Sequence, residues 1–142
     1  MAHNQEKANA AADETMVDVI VLGVGTCGED LSLRLLKAGL EVAGIEAALV
    51  GGACPYWACL PTKRMLRAAN LLQEARRANG MAGQTAVSPD WGLLAAQIRG
   101  EITGGWDDAG AVQRYESHGG ILVHGRGRLT GPLTVAVNDR TF

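Results

Sequence analysis

Two cysteines, Cys54 and Cys59, are separated by four residues in the run Gly51-Gly52-Ala53-Cys54-Pro55-Tyr56-Trp57-Ala58-Cys59-Leu60-Pro61-Thr62-Lys63. Thiols at such spacing can exchange electrons as a dithiol and disulfide if the backbone brings them together. In a regular α-helix residues five apart rise about 7.5 Å, beyond the roughly 4.4–6.8 Å between Cα atoms that a bridge tolerates. A bridge therefore requires a distorted helix start. Pro55 and Pro61 supply one, because each lacks a backbone donor and fixes its own φ. A disulfide held that way is easier to reduce than a relaxed one. A helix N-terminus and Lys63, one turn further on, are both expected to favour the thiolate. Spacing alone leaves two readings open, a bridged pair and two unlinked buried thiols. Zinc would need four ligands, and the remaining Cys27, His3, His118 and His124 show no paired spacing, so no metal site is expected.

A second constellation precedes the cysteines. Gly23, Gly25 and Gly28 form G-x-G-x-x-G, and Glu46 follows at about the distance at which an acidic side chain meets a ribose. Such a turn lets a dinucleotide pyrophosphate rest on free N–H groups at a helix start. In a chain with nineteen glycines the triplet alone is weak. Its context is stronger, because a strand precedes it and a helix and a second strand follow. The plainer reading is a turn kept for packing, with Glu46 solvated. Leu31 departs from the pattern, being bulky where a small residue often makes the helix–strand contact.

The elements that must position these residues follow from hydrophobic periodicity. Val17 to Leu22 reads as a buried strand, Thr26 onward as a helix closed by Gly39, and Glu41 to Ile45 as a second strand. This is a βαβ unit, with its two strands parallel. Pro61 to Ala78 has helical spacing. Ser88 and Pro89 form an N-cap and first-turn pair for a helix through about Ile102, and after the Gly104-Gly105 break Trp106 to Tyr115 reads as another. Ile121 to His124 is a third strand, and Leu133 to Val137 alternates like a partly exposed antiparallel one.

The chain has 142 residues, is 47% hydrophobic and carries a net charge of -2, which favours one domain and provides no basic stripe for nucleic acid. Its longest apolar run, Val19 to Val24, is far short of the roughly 20 residues of a membrane helix. Residues 1–16 lack the basic start and apolar core of a secretory signal and are expected to form a disordered tail. A cytoplasmic protein is the expectation, and there three cysteines point to redox chemistry, metal binding or burial rather than a disulfide framework.

Together, Val17 to Glu46 and Gly51 to Lys63 closely resemble the N-terminal flavin domain of the class I pyridine nucleotide-disulfide oxidoreductases. That group includes dihydrolipoamide dehydrogenase, glutathione reductase and mercuric reductase. It carries the glycine triplet, the acidic residue and G-G-x-C-x-x-x-x-C followed by a hydrophobic residue, Pro, a small hydroxyl residue and Lys, here Leu60, Pro61, Thr62 and Lys63. The resemblance implies a Rossmann-like α/β FAD-binding domain over residues 17–142, with a parallel sheet, a small antiparallel segment and an incomplete C-terminal end. It implies FAD along Gly23, Gly25 and Gly28, Glu46 on the ribose, Gly51, Gly52 and Ala53 near the pyrophosphate and isoalloxazine, and Lys63 by the flavin ring. Gly125 would lie where the backbone approaches the adenine. Cys54 would be the interchange thiol that meets substrate, and Cys59 the thiolate facing the flavin that receives its electrons. Pro55, Tyr56, Trp57 and Ala58 differ from the Val-Asn-Val-Gly type common in dihydrolipoamide dehydrogenases, which turns the reading toward a mercuric-reductase-like build.

Members of that family are several times longer. Their nicotinamide domain, with its own glycine triplet, and their dimerisation domain, with a His-Glu pair, have no counterpart in these residues. The chain is therefore expected to be the front fragment of an enzyme that, when complete, is a homodimer using NAD(P)H to reduce a small disulfide or related electron acceptor. A non-catalytic dinucleotide-binding or redox-sensing module is the alternative.

Overall fold

The computed structural model describes residues 13–142. Three parallel strands form the central sheet: β2 (Val19–Leu22) pairs with β3 (Val42–Glu46), and β3 with β4 (Ile121–His124). Preceding β2, the short strand β1 (Asp13–Glu14) pairs in parallel with β7 (Arg140–Thr141). Of the tail expected over residues 1–16, Asp13 and Glu14 form this strand, and residues 1–12 lie outside the described residues. β5 (Arg128–Gly131), β6 (Thr134–Val137) and β7 complete an antiparallel ribbon on which β1 forms the edge.

β3 lies between two partners, and its first four residues are buried. Alternation sends Ala43 and Ile45 to one face, where they pack with Val123, Val135, Val137 and Phe142 against the ribbon. The opposite face receives helices: Val24, Val50 and Tyr115 are fully buried there, joined by Leu36, Ala111, Val112 and Leu122. Tyr115 fits because two glycines leave room for it. A Cβ on Gly44 would fall 2.6 Å from its hydroxyl oxygen, and one on Gly120 would fall 2.3 Å from its ring.

The helices follow the expected order with shifted edges. α1 (Thr26–Lys37) ends as expected at Gly39, whose φ is +88°. Gly39 N–H donates to the Leu36 carbonyl and Leu40 N–H to that of Leu35, the double bond of a Schellman cap. A single turn, α2 (Ala53–Tyr56), precedes the long α3 (Cys59–Arg77). The next helix is capped by Asp90, which accepts from Leu93 N–H at 3.2 Å, rather than by Ser88. It runs as α4 (Trp91–Gln97) and continues as a π-helical turn over Ile98–Ile102. α5 (Ala109–Ser117) starts three residues later than Trp106, because Gly104, Gly105 and Trp106 all have φ between +58° and +75° and make a left-handed turn. Likewise Leu133, φ +58°, belongs to the turn before β6 rather than to the strand. None of the described helices is long and apolar enough to cross a membrane.

Candidate functional site

The glycine turn joins β2 to α1. Gly23 has φ +91° and donates its N–H to the Ile45 carbonyl at 2.8 Å, which binds the turn to the end of β3. A Cβ at Gly28 would fall 2.1 Å from the Gly23 carbonyl oxygen and 3.3 Å from Val21, so the helix start rests directly on the strand end. Ser32, one turn further, is fully buried, whereas Leu31 is 49% exposed. The small residues at the helix–strand contact are therefore Gly28 and Ser32, and Leu31 breaks no rule. Gly25 caps α1 without a side chain, and the first intrahelical bond runs from Glu29 N–H to the Gly25 carbonyl. The N–H groups of Thr26, Cys27 and Gly28 have no partner within the helix, which is the arrangement that suits an anion.

Glu46 ends β3 beside this turn. One carboxylate oxygen accepts from Val24 N–H and the other from Ala48 N–H, each at 2.8 Å. The side chain is thus turned onto the backbone of the glycine turn. Each oxygen retains a further lone-pair direction for a hydroxyl donor.

The second glycine pair closes against the first turn. Gly51 N–H donates to the Val24 carbonyl at 2.8 Å, and the Thr26 hydroxyl donates to the Gly51 carbonyl at 3.1 Å. Gly25 and Gly51 form a parallel bridge, and a Cβ on Gly52 would fall 2.8 Å from the Gly25 Cα. Gly51 and Gly52 also have φ of +100° and +71°, so conformation requires glycine at both and space requires it at Gly52. Ala53, Cys54 and the rest of the cysteine turn are thereby fixed next to the start of α1.

The helix does break between the cysteines. Trp57 and Ala58 leave helical geometry, and both of their N–H groups fold back to the single Ala53 carbonyl. Pro55 and Pro61 occupy first-turn positions, where a missing N–H loses nothing. Cys54 and Cys59 are two free thiols here, with their side chains in hydrogen-bonding reach of each other. That bond raises the Cys54 pKa above its ordinary value. Burial and the charge of Cys59 act in the same direction, while Lys63 and the Cys59 N–H act against them. For Cys54, then, the expected pull toward the thiolate by Lys63 is outweighed. Lys63 does lie close enough to stabilise the anion, but the neighbouring sulfur outweighs it, and the single turn α2 has almost no dipole to add.

A cavity of about 330 Å³ opens beside Cys54, walled by Thr26, Glu29, Gly51, Tyr56, Leu60 and Arg114. Arg114 and Glu29 form an ion pair across it. Burial, followed by the carboxylates of Asp108, Glu29 and Asp107, holds the Tyr56 phenol above its usual pKa.

Gly125 lies past β4 at the same sheet edge as Glu46 and donates its N–H to the Glu46 carbonyl. Its φ is +159°, and a Cβ there would meet Val137 and Asn138 within 3.0 Å. Gly125 is therefore a packing contact with the ribbon, whose Asn138 amide donates to the His124 carbonyl.

Sequence reasoning missed the segment that holds the cysteine turn from outside. The Trp106 indole N–H donates to the Tyr56 carbonyl at 3.0 Å, and Asp108 accepts from Val50 N–H at 2.8 Å. His124 lies 3.4 Å from the same Asp108 oxygen. The Gly104-Gly105 pair was the one signal pointing to a tight turn there.

A G-x-G-x-x-G turn closed against a two-cysteine turn at the carboxyl edge of a parallel sheet defines a Rossmann-like fold. The pyridine nucleotide-disulphide oxidoreductase family matches residues 17–134, and the chain belongs to it. Dihydrolipoyl dehydrogenase of Thermus scotoductus is 34% identical over 128 residues, 88% of this chain and 27% of that protein. The Bacillus subtilis enzyme of the same name is 32% identical over 120 residues, 83% of this chain and 25% of its own length. A soluble pyridine nucleotide transhydrogenase of Vibrio vulnificus is 43% identical over 58 residues, 40% of this chain and 12% of that protein. The chain spans about a quarter of the length of the first two relatives.

Proposed function

We propose that this chain is the FAD-binding front segment of an NAD(P)H-dependent disulfide oxidoreductase that works through the Cys54 and Cys59 pair. The observation that carries the reading is the contact of Gly25 with Gly51 and Gly52, which joins the dinucleotide turn to the cysteine turn with no intervening layer. Bound FAD would relay two electrons between NAD(P)H and the cysteine pair. Gly23, Gly25 and Gly28 would leave room for it, the first-turn N–H groups of α1 would hold the pyrophosphate, and Glu46 would accept from ribose hydroxyls. Gly51, Gly52, Ala53 and Lys63 would hold the flavin end, and Gly125 would shape the adenine end only through the backbone.

Cys54 is the interchange thiol. Its thiolate attacks one sulfur of the substrate disulfide and forms a mixed disulfide as the other sulfur leaves as a thiolate. Cys59 then attacks the Cys54 sulfur, expels the second substrate thiol and closes the Cys54–Cys59 bridge. Substrate oxidation runs the same steps backward. The cavity beside Cys54 suits a small disulfide or dithiol. Two observations bear on which one. The relatives named dihydrolipoyl dehydrogenase favour a lipoyl group, while Pro55 and Tyr56, which line the cavity in place of the Val-Asn type, argue for another acceptor. The complete protein would work as a homodimer in the cytoplasm, where NAD(P)H is supplied.

Titration of the purified chain with FAD, followed by quenching of flavin fluorescence, tests the cofactor. Saturable binding that Gly25→Val abolishes is the expected result. Peptide mapping without reductant should find Cys54 linked to Cys59 after mild oxidation. A chain that ignores FAD and keeps its thiols unlinked would favour a non-catalytic module instead.

A further inference from the structure

The geometry points to Trp106 as a positioning residue for the redox turn, setting how readily the Cys54 and Cys59 sulfurs join. This rests on the redox reading proposed above. α2 is one turn long and ends at Tyr56, between the two cysteines. Because the chain leaves helical geometry at Trp57 and Ala58, the Tyr56 carbonyl has no acceptor role in either α2 or α3. Such a carbonyl at a helix end needs a donor from elsewhere. The Trp106 indole N–H supplies it at 3.0 Å from fifty residues away.

Trp106 reaches that position through an unfavourable backbone. Its φ of +61° is uncommon for a bulky residue, and it follows Gly104 and Gly105, whose φ values of +58° and +75° share the same left-handed turn. Two bonds fix the turn at its base, Gly105 N–H to the Arg99 carbonyl at 2.7 Å and Trp106 N–H to the Thr103 carbonyl at 3.0 Å. Strain at a residue that donates to a redox loop is the pattern expected where surroundings over-determine a functional geometry. The contact is reinforced from the other side, because the Tyr56 hydroxyl donates to the Asp107 carbonyl at 3.5 Å. The peptide between the cysteines is thus held at its carbonyl by one residue and at its side chain by the next.

Fixing that peptide limits the conformations open to the dithiol and keeps the two sulfurs near each other. Bridge formation is then favoured through effective concentration. The redox exchange is closed by glutathione: one glutathione disulfide takes two electrons from the two thiols, giving the Cys54–Cys59 bridge and two glutathione thiols.

Equilibration of the 142-residue chain in glutathione buffers, with the bridged fraction read by mass after alkylation, tests the proposal. Trp106→Phe keeps an aromatic ring and removes the donor. Its dithiol–disulfide equilibrium constant should fall about tenfold, a rise in potential of about 30 mV. Benzothienylalanine at position 106 has the indole shape without the N–H and should give the same shift, with a melting temperature no lower than that of Trp106→Phe. Trp91→Phe, far from the cysteines in sequence and exposed on α4, should leave the constant unchanged. A constant within twofold of the parent for the benzothienylalanine chain would overturn the proposal. A parent chain that forms no intramolecular bridge in any buffer would instead overturn the redox reading beneath it.

Discussion

The glycine turn and the cysteine turn touch at Gly25 and Gly52, yet they are built by different means. The glycine turn is held by contacts within the first βαβ unit, residues 19–46: Gly28 on Gly23, Gly23 on the strand end, the Glu46 carboxylate on Val24 N–H. The cysteine turn has helical bonds for only one turn and is otherwise held by a segment about fifty residues away, through Trp106, Asp107 and Asp108. A site that binds a constant ligand can be written locally. A site whose bond must open and close needs a support that does not depend on that bond.

The largest expected effect breaks the first turn. Gly28→Val would drive a branched side chain into the Gly23 carbonyl, where even a Cβ would fall at 2.1 Å. The backbone must move, and a loss of about 3 kcal/mol or more in urea unfolding is expected, together with loss of FAD binding. An unchanged midpoint would mean that α1 does not rest on β2 as described.

Next is the support of the second turn. Asp108→Ala leaves the Val50 N–H, in a fully buried residue, without its acceptor. A loss of about 1–3 kcal/mol is expected. Hydrogen exchange should accelerate at Val50 and Gly51 while the β3 amides stay protected. Uniform acceleration across the sheet would show that the two turns are not separately held.

Glu46→Gln sharpens the comparison from the ligand side. The amide keeps one acceptor oxygen and loses the other, so the Val24 or Ala48 contact weakens, by about 1 kcal/mol in stability. FAD affinity should fall by more than stability does, and an affinity unchanged in this variant would remove Glu46 from the ribose site.

The smallest effect is electrostatic. The Cys54 pKa is raised in the folded dithiol, chiefly by the Cys59 hydrogen bond. A thiol that holds its proton more tightly when folded contributes stability fully below its unfolded pKa of about 8.5, and that contribution is lost as pH rises through the folded value. Alkylation of Cys54 should therefore show a midpoint above that of an ordinary cysteine. Cys59→Ser should move the midpoint down, and Lys63→Met should move it up. A midpoint in Cys59→Ser equal to that of the parent would show that the neighbouring sulfur is not the cause.

The sequence was most legible where a residue type answers a local demand. The Schellman end at Gly39, the strand over Ile121–His124 and the start of α1 at Thr26 fall where capping and periodicity put them. Misreadings occurred where a local signal pointed to the wrong residue or none was present. The Ser88-Pro89 pair reads as the cap, yet the helix is held two residues later by Asp90, whose side chain accepts from Leu93 N–H. β5, with all four residues exposed, and the two-residue β7 have no periodicity of their own, and exist because β6 and the sheet beneath give them a partner.

By itself, the sequence determined the βαβ unit, the glycine positions and the presence of two thiols across a broken helix start, because φ > 0, a missing Cβ and a missing N–H are properties of single residues. Only the tertiary structure decided which side chains hold the cysteine turn, that Leu31 faces outward while Ser32 is buried, and that the Cys54 pKa is pushed up by its neighbour. Those outcomes depend on distances between residues far apart in the chain, and hydrogen bonding and charge act through distance rather than through order along the backbone.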